Sequence, residues 1–305
     1  MLENEVVLSE VHIDSENAPI ADEGLQTDDI KQVVRSRFRF KMPTDVAIGL
    51  RTDVPVEEDE DGDLLVPRPE STERHVIIDH FLATPLKSVG LQVWKGALLL
   101  SDFLLCSGAQ LGGKTILELG GGAGLCSIIA AMYAKTVYCT DKGDDILRLC
   151  RRNVYHNDHL QNAHTENKVR VRELDWTEED PLAEGDGPWG WTSEDRCNVH
   201  KTSVFLAADV VYDNSLTDSF MRTLERLLKS NDQAAYIAVE KRINFTLEDL
   251  DVASPAHSYF IGHLGRLQEL GWSVEKLPTD FPQSFHYTRD KYLELWKLSG
   301  PPVVS

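Results

Sequence analysis

Two periodicities alternate along most of this chain. Short apolar runs of strand length, at residues 75–82, 115–119, 136–139, 168–174, 203–208, 234–240, 272–276 and 292–298, are separated by stretches with apolar residues three and four apart. The plainest helical stretch is 92–105, where Val93, Ala97, Leu98, Leu100, Leu104 and Leu105 recur at helical spacing. Further helices are expected after the glycines at 120–124 and over 144–157, 215–228 and 258–270, and a polar loop containing Gly and Trp runs to about residue 201. Strands alternating with helices predict an α/β fold, a doubly wound, mostly parallel sheet with helices on both faces. Six or seven strands are expected from residue 115 onward, with no break that marks a second domain and no internal repeat.

Before residue 71 the pattern changes. Residues 1–30 are polar and acidic without sustained periodicity and read as disordered or loosely attached. Arg35, Arg37, Arg39 and Lys41 then alternate with Ser36, Phe38 and Phe40, the period of two expected of an edge strand with one solvated basic face. EEDEDGD at 57–63 reads as a solvated, flexible acidic loop. Residues 1–70 are therefore expected to be an acidic, largely flexible extension with an edge strand near 33–41, and residues 71–305 the globular domain.

The glycines carry the first chemistry. A strand, Gly120, Gly121, Gly122 and Gly124, a helix, and a second strand ending in Asp141 make half of a nucleotide-binding unit. The dinucleotide pattern G-x-G-x-x-G fails, because Leu125 stands where its third glycine should be. Glu118 ahead of the glycines would repel a pyrophosphate and suits a ligand bearing an ammonium group. Asp141, 21 residues beyond Gly120, falls where an acid can accept hydrogen bonds from ribose hydroxyls. An amino-acid-bearing nucleoside without phosphates satisfies both, and S-adenosyl-L-methionine is the obvious candidate. Two more strands end in comparable residues, Asp175-Trp176 and Asp209 to Tyr212, and ligands of open α/β sheets bind beyond such carboxyl ends.

Charge and cysteine content narrow the partners. The formal charge is −19, and residues 1–70 hold 18 acidic and 7 basic residues, so the rest of the chain is acidic too. Such a body repels phosphate backbones, which makes direct nucleic-acid binding disfavoured and a basic protein or peptide the better partner. The five cysteines form no C-x-x-C pair and read as reduced thiols of an intracellular protein, in nucleus or cytoplasm. No apolar run approaches the roughly 20 residues that span a bilayer. MLENEVVLSE lacks the basic start and apolar block of a signal peptide.

The motifs V-W-K-G-A (93–97), E-L-G-G-G-A-G (118–124), T-D (140–141), Asn153 with Asn157, L-D-W (174–176) and A-D-V-V-Y (208–212) give the chain a family resemblance. It resembles the class I, seven-strand S-adenosylmethionine-dependent methyltransferases and, within them, the lysine methyltransferases of methyltransferase family 16, over residues 75–298. The resemblance implies a seven-stranded Rossmann-like sheet with its last strand antiparallel, and protein lysine N-methylation. It implies that Gly120, Gly121 and Gly122 line the methionine part of the donor, with Glu118 near its ammonium. Asp141 would hold the ribose, Trp176 would pack on the adenine, Ala208 would allow close backbone approach, and Trp94 would close the pocket.

Physical chemistry speaks separately for Asp209 and Tyr212. A lysine amine, with a reference pKa of about 10.4, is protonated at neutral pH and cannot attack until it is desolvated and deprotonated. A carboxylate at Asp209 can orient the arriving ammonium, and an aromatic wall at Tyr212 can desolvate it. Glu240 to Arg242 and His286-Tyr287 are weaker candidates for substrate contact, and His156, His159 and His164 are too irregularly spaced to favour a metal site. The rival readings are a methyltransferase acting on nucleic acid or a small molecule, and a catalytically silent binding module of the same fold. Base methylation at amines often uses an N-P-P-Y-like motif, and no proline stands between Asp209 and Tyr212.

Overall fold

The computed structural model describes residues 6–9, 11, 18–19, 33–42, 57–58, 64–65, 73–161, 169–242, 244–245 and 252–301. Most of 1–30, most of the acidic run at 57–63, and His164 lie outside the described residues.

The longer strands before the main sheet are β1 (Val6–Leu8), β2 (Val33–Lys41), β3 (Glu73–Phe81) and β4 (Ala83–Pro85), beside the two-residue strands Ala18–Pro19, Glu57–Glu58 and Leu64–Leu65. The sheet itself is built from β5 (Thr115–Leu119), β6 (Thr136–Asp141), β7 (Val169–Glu173), β8 (Thr202–Ala208), β9 (Ala234–Glu240), β10 (Ser273–Leu277) and β11 (Leu293–Ser299). Its order is β7-β6-β5-β8-β9-β11-β10. Pairs among β5 to β9 are parallel, and β11 runs antiparallel to both neighbours, β9 and β10. The seven strands and the antiparallel last strand agree with the expected fold.

The sheet is covered by the helices α1 (Lys95–Cys106), α2 (Leu125–Ala130), α3 (Asp144–His156), α4 (Ser193–Val199), α5 (Asn214–Leu227) and α6 (Pro255–Glu269), with a short helical turn, Gly108–Leu111, following α1. One core layer joins α1 to α3 with β2 and β3, through Leu98, Leu104, Ile128, Leu147, Phe40 and Ile78. The opposite layer joins α4 to α6 through Val199, Phe220, Met221, Phe260 and Leu264. Helices thus lie on both faces, so the apolar runs of β5 and β8 are buried from both sides.

Helix α4 lies inside the segment expected to be a loop. Its apolar periodicity is poor, and what holds it is polar. Thr192 and Asp195 form a capping box, and buried Asp195 takes hydrogen bonds from Arg170 (2.6 Å) and Arg172 (2.7 Å) of β7. Burial raises the Asp195 carboxyl, but these arginines and Thr192 outweigh it and bring it down to about 2.

The amino-terminal strand also departs from expectation. β2 pairs with β3 over its whole length and also with residues Ala18–Pro19, so it sits between two strands rather than at an edge. Arg37, Arg39 and Lys41 are exposed as the alternation predicts, while Phe38 and Phe40 enter the main core. The core therefore does not begin at residue 71.

On its other side β3 is covered by two side-chain amides. Asn157 accepts from the Ile77 N–H (2.8 Å) and donates to its carbonyl (2.6 Å); Asn153 does the same at Asp79 (2.8 and 2.9 Å). These amides satisfy the strand as a neighbouring strand would, and so seal its edge. The Asn153 amide also donates to the Ala123 carbonyl (2.9 Å), tying α3 to the glycine loop.

Among the described residues, one helical stretch, Leu86–Cys106, is long and apolar enough to cross a membrane by composition, but 67% of its apolar window is buried inside the protein. It is interrupted as well, because a 3-10 helix ends at Leu91 and Trp94 is extended before α1 starts.

Candidate active site

The central strand β5 ends at Leu119, and the chain then turns through Gly120 (φ 73) and Gly122 (φ 52), both in the left-handed region. A Cβ on Gly120 would stand 2.8 Å from Val210 and 3.2 Å from Trp176, and one on Gly122 would stand 2.9 Å from the Gly90 carbonyl. The loop is therefore closed against three neighbouring segments, and larger residues would displace them. It is fixed at the next strand by the Gly121 N–H on the Thr140 carbonyl (2.8 Å) and the Thr140 hydroxyl on the Glu118 carbonyl (2.6 Å).

A cavity of about 780 Å³ opens above this loop, at the carboxyl ends of β5 to β8. That is where the strand order reverses direction, the usual ligand crevice of a doubly wound sheet. All ten residues singled out from the sequence line it: Trp94, Glu118, Gly120, Gly121, Gly122, Asp141, Trp176, Ala208, Asp209 and Tyr212.

Their environments differ. Glu118 is 1% exposed; its carboxylate accepts from the Ser127 hydroxyl and from the Cys139 thiol at 3.7 Å. Burial pushes it up to about 7, against the hydrogen bonds of Ser127, Cys126 and Cys139. Asp141 receives the N–H groups of Gly122 (2.8 Å) and Lys142 (2.7 Å), which hold its carboxylate in place at the end of β6. Burial nevertheless raises its pKa. Trp176 packs edge-on against Phe220, with ring centres 5.3 Å apart, and its buried indole N–H has no partner among the described residues.

Asp209 has φ 54, the one positive φ outside glycine among the described residues. Its carboxylate is held from two sides, by the N–H of Gly96 in α1 (2.6 Å) and the N–H of Glu240 at the end of β9 (2.8 Å). A Cβ on Gly96 would lie 2.5 Å from that carboxylate, which explains the glycine in V-W-K-G-A. Burial raises the Asp209 pKa; Arg242 and the two N–H groups oppose this. Burial, with Asp141 and Asp213 nearby, pushes the Tyr212 phenol up to about 12, so it is a neutral wall and hydrogen-bond donor rather than a base. Trp94 caps α1 instead of lying within it, and its indole donates to the Val89 carbonyl (3.0 Å).

The wall contributed by Leu86, Val89 and Gly90 was not legible in the sequence, since nothing local marks a 3-10 helix as a cavity lining. Of the weaker candidates, Glu240 pairs with Lys95 (2.9 Å) and Arg242 stacks on Trp94 (4.5 Å), both beside Asp209. His286 and Tyr287 do not line the cavity; Tyr287 accepts from Arg289, which pairs with Asp102 (2.5 Å). His156 is engaged by Arg35 and Asp79, and His159 stacks near His75.

Fold and site together define a Rossmann-like protein with a nucleoside-sized cavity at the switch point of its sheet. Residues 80–252, more than half of the chain, match the family described as lysine methyltransferase, and the chain belongs to that family. It is 43% identical over 254 residues to human methyltransferase-like protein 22, covering 80% of this chain and 63% of the human protein. The mouse protein of the same name is 43% identical over 255 residues, covering 80% and 65%. A protein-lysine N-methyltransferase EFM3 from Chaetomium thermophilum is 31% identical over 143 residues, covering 46% and 39%. The chain thus spans less than two thirds of the length of its human and mouse relatives.

Proposed function

We propose that this protein transfers a methyl group from S-adenosyl-L-methionine to the side-chain amine of a lysine in a protein substrate. The observation that carries the reading is convergence. The glycine loop with Asp141 and the Asp209–Tyr212 pair come from different strands and line one cavity.

The residues present fit the donor. Gly120 and Gly122 let the loop pack tightly against Val210, Trp176 and Gly90 along the cavity, a carboxylate is held at the end of β6, and Trp176 offers an indole N–H that has no partner among the described residues. When bound, S-adenosyl-L-methionine supplies a methyl group made electrophilic by its sulfonium. Gly120, Gly121 and Gly122 would admit its methionine end, Glu118 would face its ammonium, Asp141 its ribose hydroxyls and Trp176 its base. Ala208 would allow the backbone to approach it, and Trp94 would close the cavity. Asp209 would orient the target lysine and Tyr212 would exclude water beside it.

The acidic body supports a basic protein segment as substrate and argues against direct nucleic-acid binding. Unbridged Cys139 and Cys150, with sulfurs 3.3 Å apart, suit a reducing compartment, and we place the protein inside the cell, in nucleus or cytoplasm.

Labelled S-adenosyl-L-methionine incubated with the protein and an extract of cells lacking it is expected to mark a discrete protein band. Label found only in RNA or small molecules would overturn the substrate class.

A second expectation concerns pH. Glu118 titrates near pH 7, and a neighbouring ammonium favours its ionised form. Binding therefore releases a proton below that pH, and donor affinity should weaken as pH falls from about 8 to about 6. Calorimetry of wild type and Glu118→Gln checks this: the wild type should show the slope and the variant should not.

A further inference from the structure

The proposed reaction needs a neutral amine, yet most groups around the cavity favour a charged one. Glu118, Asp141, Asp175, Asp209 and Asp213 line it, with Lys87 and Lys142 as the lining cations. Most of these charges are committed. Ser127 engages Glu118, backbone N–H groups hold Asp141, Lys142 pairs with Asp175 (2.5 Å), and Asp213 caps α5. Behind Asp209, Lys95 is paired with Glu240 (2.9 Å), and burial keeps the Cys126 thiol neutral.

Arg242 differs. Its guanidinium lies over the Trp94 ring, 4.5 Å from the centroid, and no carboxylate among the described residues forms an ion pair with it. Its charge reaches both Asp209 and Tyr212, where it opposes the rise in pKa that burial causes. A guanidinium is protonated at every accessible pH, and stacking on an aromatic face fixes where its charge stands.

We infer that Arg242 is a positioning residue of the reaction, holding a fixed positive charge beside Asp209 so that the incoming lysine amine is neutral when it meets the methyl donor. A like charge nearby disfavours the ammonium form, whereas Asp209 alone would stabilise it. In the step that follows, the ammonium has given its proton to water. The nitrogen lone pair then forms its bond to the methyl carbon, and the carbon–sulfur bond breaks with its electrons left on sulfur. Asp209 and Arg242 thus divide two tasks, orientation and deprotonation. This inference rests on the methyl-transfer reading above.

The test is the pH profile of labelled methyl transfer, between about pH 6.5 and 9.5, into the acceptor band of an extract from cells lacking the protein. The rate rises as the amine loses its proton, so removing the cation should move the rising limb to higher pH. Arg242→Gln is expected to shift its midpoint up by about one unit, a roughly tenfold loss of rate at neutral pH. Arg242→Lys keeps the charge and should keep the wild-type midpoint. Calorimetry with S-adenosyl-L-methionine should give both variants the wild-type affinity. A Gln variant with an unshifted limb, or a Lys variant shifted as far as Gln, overturns the role of the charge alone. Absence of labelling by the wild type at every pH overturns the methyl-transfer reading, and this inference with it.

Discussion

Asp209→Asn is expected to lower methyl transfer roughly a hundredfold while leaving S-adenosyl-L-methionine binding largely intact, as read by labelled transfer and by calorimetry. Asparagine is the informative substitution because of the backbone. At φ 54 an alanine would add strain of about 1–2 kcal/mol, which asparagine largely avoids. Alanine would also strip both the Gly96 and Glu240 N–H groups of their acceptor. Each buried orphan costs about 1–3 kcal/mol, so the alanine variant confounds folding with chemistry. Asparagine keeps one acceptor oxygen and the turn, and removes the charge proposed to orient an ammonium. Thermal unfolding should register the single lost hydrogen bond. If Asp209→Asn transferred methyl groups at the wild-type rate, the residue would be only a staple joining β8, α1 and β9.

The second large effect lies away from the cavity. Asp79→Ala is expected to destabilise the protein by about 3 kcal/mol, seen as a fall of roughly 5–10 °C in melting temperature. Asp79 is fully buried on β3 and accepts from Arg35 of β2 (2.7 and 3.0 Å), with Arg152 (2.9 Å) and His156 (3.3 Å) of α3 around it. Removing the carboxylate leaves two guanidinium groups facing each other in a partly buried place. The loss stays modest because Arg35 remains 42% exposed and can recruit water. Burial alone would raise the Asp79 pKa, but the Arg35 hydrogen bonds and the charges of Arg152, Arg35 and His156 bring it below the usual range. A carboxyl depressed in the folded state stabilises above its unfolded pKa of about 3.9, and that contribution is lost as pH falls through the folded value. The wild type's advantage over Asp79→Ala should therefore shrink in acid below about pH 4. The double variant Arg35→Ala with Asp79→Ala should lose less than the sum of the single ones.

This cluster shows why the amino-terminal strand was only half legible. Its alternation marked Arg35, Arg37, Arg39 and Lys41 as one face and Phe38 and Phe40 as the other, and the structure keeps that division. That Arg35 leaves the solvated row to meet Asp79, 44 residues away, is a long-range pairing with no local trace. Helix α4 escaped notice for a related reason. Its stability comes from Asp195 meeting two arginines of β7 across the chain, not from an apolar stripe.

The sequence by itself determined the alternation of strands and helices, hence the doubly wound sheet, and the glycine-loop end of the cavity. Glycines, Glu118 and Asp141 are set by local turn geometry and fixed offsets, which spacing reveals. Only the tertiary structure decided how the Asp209 end of the cavity is wired. The glycine turn and the Asp209 turn meet because β5 and β8 are neighbours, although far apart in sequence. Asp209 is clamped by α1 and β9, and Arg242 comes to rest on Trp94. Backbone hydrogen bonds and stacked charges between distant segments depend on where the chain returns to itself, and no residue pattern along one segment encodes that return.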